Sequence, residues 1–118
     1  MKAIDCLILE DDPISLKILE AYILRLPFLK LVGSCDNALS AYQVLSKSNV
    51  DLIFCDVQMP QITGIDFLKS LTHKPYIILI SAFNEYAIDG FELDAVDFLV
   101  KPIAFDRFLK SVQKVNQF

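Results

Sequence analysis

Cys6-Leu7-Ile8-Leu9 runs into Glu10-Asp11-Asp12-Pro13, and the same pattern recurs three times further along. Leu52-Ile53-Phe54-Cys55 ends on Asp56. Tyr76-Ile77-Ile78-Leu79-Ile80 ends on Ser81, and Phe98-Leu99-Val100 ends on Lys101-Pro102. Short, uninterrupted apolar runs suit strands covered on both faces, as in a parallel sheet. In open parallel sheets the ligand site lies beyond the carboxyl ends of the strands. The polar endings would then gather on one edge: a carboxylate cluster, a hydroxyl and an ammonium.

Helix signals fill the intervals. Asp12 suits a helix N-cap with Pro13 at the first helical position, and Pro27 closes that helix at about residue 26. Residues 29–35 read as a weaker, partly alternating edge strand. Asp36 or Asn37 caps a second helix with Leu39, Tyr42 and Leu45 on one face. The third strand covers 51–55, and a loop with Met59-Pro60 and Gly64 leads to a helix carrying Ile65, Leu68 and Leu71. The fourth strand covers 76–80, a short helix lies around 85–89, and the fifth strand covers about 95–100. The last helix carries Phe105, Phe108, Leu109, Val112 and Val115.

Five such units predict an α/β fold: a doubly wound, five-stranded parallel sheet in the flavodoxin-like order 2-1-3-4-5, with helices on both faces. Neighbouring strands lie about 4.8 Å apart, so the tips at Asp11, Asp56 and Ser81 fall within roughly 10 Å of one another. Lys101 is one strand further out, on a stem long enough to reach back.

Composition narrows the function classes. The 118 residues suit one domain, and 54 % apolar content excludes disorder. No apolar stretch approaches the ~20 residues of a membrane span, and Met1-Lys2-Ala3-Ile4-Asp5 lacks a signal-peptide core. A cytoplasmic location without membrane contact is the expectation. A net charge of −4 argues against nucleic-acid binding by this segment itself. Cys6, Cys35 and Cys55 lack metal-ligand spacing and read as small reduced hydrophobes. His73, the single histidine, reads as a solvated loop residue.

Glu10, Asp11 and Asp56 cannot share a small site as bare anions, because like charges raise each other's pKa. A hard divalent cation removes the conflict, and Mg²⁺ prefers a few carboxylates plus water. Open metal positions suit a phosphoryl group, whose other oxygens Lys101 and Ser81 can hold. Asp56, at the tip of the central strand, is the natural nucleophile.

On these residues the chain resembles the receiver domains of two-component response regulators. The likeness covers residues 1–118 and rests on Leu7-Ile8-Leu9-Glu10-Asp11-Asp12-Pro13, Asp56-Val57-Gln58-Met59-Pro60 with Gly64, Ser81-Ala82 and Lys101-Pro102. The resemblance implies that Asp56 accepts a phosphoryl group from a histidine kinase. It implies Mg²⁺ held by Asp11 and Asp56 directly, by Glu10 through water and by the Gln58 backbone carbonyl. It also implies Ser81 and Lys101 on the phosphoryl oxygens, Ser81 and Phe98 as switch residues, and no enzymatic turnover beyond self-phosphorylation and self-dephosphorylation. Phe98 stands where many relatives have Tyr, so switching would work through ring packing.

Ser81-Ala82-Phe83-Asn84-Glu85-Tyr86-Ala87 with Phe91 is similar to receivers joined to LytTR-type DNA-binding domains. That branch implies a DNA-binding output domain beyond Phe118. A stand-alone receiver acting through protein contacts is the alternative. Phosphorylation would then remodel the surface of the fourth helix, fifth strand and fifth helix. Arg107, Lys110 and Lys114 against Asp89, Glu92, Asp94 and Asp97 suggest a phosphorylation-dependent homodimer. Phe83, two residues past Ser81, is expected to hinder the hydrolytic water and prolong the phosphorylated state.

Three other readings compete. An aspartyl phosphatase or phosphotransferase would need an acid two residues after its nucleophile, where Gln58 stands. A flavodoxin-type module would need a phosphate loop where three acids lie. A receiver that had lost phosphorylation would not keep the full residue set.

Overall fold

The structure, a computed structural model, describes residues 3–116. Its centre is three strands, β1 (Ile4–Leu9), β3 (Leu52–Asp56) and β4 (Tyr76–Ser81), flanked by β2 (Leu29–Cys35) and β5 (Asp97–Val100). The sheet is all parallel in the order β2-β1-β3-β4-β5. Alternate side chains of each central strand enter different cores, which is why the runs are apolar without alternation. Cys6, Ile8, Phe54, Ile78 and Ile80 face a core completed by α1 (Pro13–Leu24) and α5 (Phe105–Val115). Leu7, Leu9, Ile53, Cys55 and Leu79 face the opposite core, covered by α2 (Ala38–Lys47), α3 (Gly64–Lys69) and α4 (Ala87–Glu92).

The edge character of β2 is as its sequence indicates. Its middle residues are half-exposed, and the register with β1 shifts between Cys6 and Leu7, leaving Val32 unopposed. Asp12 caps α1 by accepting from the Ile14 and Ser15 backbone N–H groups and, at 2.7 Å, from the Ser15 hydroxyl. Asn37, not Asp36, caps α2, accepting from Ser40 N–H at 2.9 Å.

Three local expectations are corrected. The buried side of α2 is Ala41, supported by Ala38, Val44 and Leu45, whereas Leu39 is exposed. Tyr42 lies at the rim, its ring 4.7 Å from Phe67 and its hydroxyl on Ser70. Ala38, Ala41, Val44 and Leu45 share the inward side of the helix, which leaves Leu39 on the outer one. The short helix before the last strand begins as a 3₁₀ turn (Asn84–Tyr86) and continues as α4 to Glu92. β5 starts at Asp97 rather than near 95, because Ala95 N–H bonds back to Gly90 O and Asp94 takes φ 57° to close the helix.

Asp97 fastens β5 to α5. Its carboxylate accepts two hydrogen bonds from Arg107 (2.7 and 2.8 Å), one from Ser111 (2.8 Å), and lies 3.1 Å from Lys114. Burial alone would raise its pKa, but Arg107, Ser111, the Phe98 N–H and Lys114 together hold it well below the usual carboxylate range. A depressed folded-state pKa contributes stability that is complete above the unfolded value near 4 and is lost as pH falls through the folded one. Asp97→Asn is therefore expected to lose about 1–2 kcal/mol at pH 7, a charged hydrogen-bond contribution discounted for the half-exposed cations. Chemical denaturation should show this gap holding down to pH 4 and closing only in stronger acid. A gap unchanged at pH 2 would refute it.

Candidate functional site

β1 and β3 flank the point where the strand order reverses, and both end in acids. Leu9 pairs with Cys55, so Glu10 and Asp56 leave the sheet side by side. Ile80 pairs with Asp56, and Ser81 with Val100, which puts Ser81 and Lys101 at the neighbouring tips. Lys101 N–H donates to Ser81 O at 2.8 Å and sets where the lysine stem begins.

The side chains meet as the sequence predicts. One oxygen from each of Glu10, Asp11 and Asp56 lies within 4.8 Å of the other two. Lys101 Nζ stands 2.8 Å from Glu10 Oε1 and 3.7 Å from Asp56 Oδ2. Glu10 and Asp56 are buried, as is Ser81, while Asp11 is half-exposed at the mouth. Burial first, then the adjacent Glu10, pushes the Asp56 carboxyl up to about 8, and Lys101 offsets this only in part. Burial works against the Lys101 ammonium, but Glu10 and the Asp56 charge outweigh it and raise its pKa.

This donor set fits a hard divalent cation. Three carboxylates converge with one cationic partner among them. Glu10 Oε1 is buried with an ion pair to Lys101 but no hydrogen bond of good geometry among the described residues. A small cation bound by oxygen ligands would relieve both conditions.

The neighbours shape the mouth. Gln58 N–H points at Asp56 Oδ1 from 3.4 Å, and its side-chain amide donates to Tyr86 OH at 3.3 Å. Ser81 Oγ accepts from Phe83 N–H at 3.0 Å, and the Phe83 ring is 48 % exposed. Phe98 is half-buried on the α4 side, close to Gly90. Of the residues expected at a dimer surface, Arg107 and Asp97 bind each other within the chain, and Lys110 is exposed. Sequence reasoning missed Ser111, although Arg107, Ser111 and Lys114 share the i, i+4, i+7 stripe that finds Asp97. It also missed the links Gln58–Tyr86 and Tyr22–Ile103, which no local pattern announces.

A family model of the response regulator receiver domain matches residues 6–113. The chain belongs to this family. As a receiver domain it is similar to the transcriptional regulatory protein BtsR of Escherichia coli K12, with 36 % identity over 116 residues. That match covers 97 % of this chain and 48 % of BtsR. An uncharacterised response regulatory protein of Shewanella oneidensis is 34 % identical over 97 % of this chain and 49 % of its own length. The receiver thus spans about half the length of the curated relatives it matches. Among solved structures, the response regulatory domain of mrkE from Klebsiella pneumoniae superposes with a TM-score of 0.86 at 31 % identity, covering 97 % of this chain and 96 % of that one. TrrA of Thermotoga maritima, solved in complex with Mg(2+)-BeF, gives a TM-score of 0.82 at 24 % identity, covering 98 % and 99 %. The second likeness speaks for the fold.

Proposed function

We propose that Asp56 accepts a phosphoryl group from a histidine kinase, with Mg²⁺ held by Asp11 and Asp56 directly, by Glu10 through water, and by the Gln58 carbonyl. The supporting observation is the convergence of three carboxylates and Lys101 around the tip of β3. Bound Mg²⁺ would neutralise charge on the phosphoryl oxygens and on the carboxylates. An Asp56 oxygen attacks phosphorus, and the bond from phosphorus to the donor's imidazole nitrogen breaks, the electron pair leaving with the nitrogen. Lys101 and Ser81 then hold phosphoryl oxygens, Lys101 by charge and Ser81 by its hydroxyl proton. The domain turns over no separate substrate, so its chemistry is confined to gain and loss of that group.

The kinase would dock beside the site. Ile14 (71 % exposed) and Ile18 on α1 form an apolar groove with Pro102 and Ile103. A helix of the partner carrying the donor histidine fits such a groove. The response would pass through Ser81 and Phe98 to α4 and β5, where Ile88, Phe91 and Val100 are exposed. A phosphorylation-dependent homodimer would use that face. Its contacts would be chiefly apolar, with Lys110 at the rim, since Asp97 and Arg107 are already paired.

The Ser81-Ala82-Phe83-Asn84-Glu85-Tyr86-Ala87 stretch and the relatives named as transcriptional regulators, twice this length, support a LytTR-type DNA-binding output. DNA contact would belong to that output, and the setting would be the cytoplasm. Among the described residues no helix is long and apolar enough to cross a membrane.

The test is intact mass after incubation with Mg²⁺ and a small acyl phosphate. The parent should gain one phosphoryl mass, and Asp56→Asn should gain none. An equal gain in both would overturn the assignment of Asp56.

A further inference from the structure

The Lys101-Pro102-Ile103 segment is held at two points. At one end Lys101 N–H bonds to β4 through Ser81 O. At the other, Tyr22 on α1 donates its hydroxyl to Ile103 O at 2.7 Å, across 81 residues of sequence. The Tyr22 ring has little freedom. It meets Phe105 edge-on at 5.2 Å and Phe108 at 5.3 Å, and Phe108 stacks at 5.2 Å on Phe54, two residues before Asp56. Arg25, one helical turn on from Tyr22, lies 3.8 Å above the Phe105 ring. A short hydrogen bond from a ring fixed on several sides defines the place of its acceptor more tightly than a surface contact would.

We infer that Tyr22 is a positioning residue of the phosphoacceptor site: its hydroxyl fixes the Ile103 carbonyl and thereby the loop from which Lys101 reaches Glu10 and Asp56. This rests on the reading of Asp56 as phosphoacceptor. It goes further by giving α1 a part in the chemistry, with no contact between Tyr22 and the reacting atoms. Ile103 also lines the groove formed with Ile14 and Ile18, so one bond joins both walls of that groove to the lysine. A few tenths of an ångström at Ile103 are carried to Lys101, because only Pro102 lies between them. The alternative is a merely structural tyrosine that adds to the α1–α5 core.

Tyr22→Phe keeps the ring and removes the bond. Labelling by acyl phosphate with Mg²⁺ should slow roughly fivefold, as expected for one misplaced charged group in the transition state. In a Lys101→Ala background the same change should make no further difference. Equal slowing in both backgrounds would overturn the inference, as would no slowing in the parent. A second readout does not depend on phosphorylation: the side-chain ammonium resonance of Lys101 in ¹⁵N NMR. In Tyr22→Phe it should shift toward that of the solvated lysines while far-UV dichroism stays unchanged. A resonance that does not move would overturn the inference even if the parent took no label. A parent without label but with a shifted resonance would instead sink the phosphoacceptor reading alone.

Discussion

Without metal, Asp56→Asn is expected to melt several degrees above the parent at pH 8, even though the substitution removes the proposed site of phosphorylation. Asp56 is buried beside Glu10, and its carboxyl is pushed up to about 8. A carboxyl with a raised folded-state pKa withholds stability once the unfolded chain can ionise it. The difference from the amide is therefore nil below pH 4, grows between pH 4 and 8, and levels off above. Asparagine keeps the shape and removes the charge. Mg²⁺ should raise the melting point of the parent more than that of the amide, since the amide is a poorer ligand. Calorimetry across that pH range, with and without Mg²⁺, checks both statements. A difference between parent and amide that is the same at pH 4 and at pH 8 would mean that burial and Glu10 do not raise the Asp56 carboxyl.

Gly64→Ala is expected to be the most damaging single methyl addition near the site. A Cβ there would lie 2.0 Å from the Asp56 carbonyl oxygen and 2.9 Å from Cys55 Sγ. The close approach arises because Gly64 N–H bonds to Val57 O at 2.8 Å, seating the first turn of α3 on the segment that carries Asp56. Relief requires moving backbone, so the loss should reach about 3 kcal/mol, the upper part of the overpacking range. At roughly 4 °C per kcal/mol for a domain of this size, the melting point should fall by about 12 °C. Labelling of Asp56 should fall with it. Gly33→Ala is the control. The atoms nearest its Cβ would be side-chain ends, Leu7 Cδ1 at 2.9 Å and the Val44 methyls at 3.0 Å, which yield more readily than backbone. A Gly64→Ala chain no less stable than Gly33→Ala would show that α3 is free to move off the loop.

Much of this arrangement is legible in the order of residues. Buried strands leave runs such as Leu52-Ile53-Phe54-Cys55, and the sheet order then fixes which endings meet. Glu10, Asp11, Asp56 and Lys101 follow from that alone. Helix faces at the periphery are less legible. α2 buries Ala41 with Val44 and Leu45 beside it and turns Leu39 out, so the apolar stripe Leu39-Tyr42-Leu45 is offset from the side that faces the core. The Asp97–Arg107 pairing was legible as charge but not as geometry: a strand acid and a helix base suit a neighbouring molecule as well as the same chain. Tyr22 and Ile103 lie 81 residues apart and have no periodicity in common, so only the folded chain brings them into contact.

The aromatic column from Phe54 to Phe105 has a practical side. The chain contains no tryptophan and four tyrosines. Tyr22 sits between two phenylalanines in a fixed, asymmetric setting. Tyr42 has a comparable setting against Phe67, so the near-ultraviolet circular dichroism of the junction of α1 with the lysine loop is read as the difference between the parent and a Tyr22 variant, without attaching a dye.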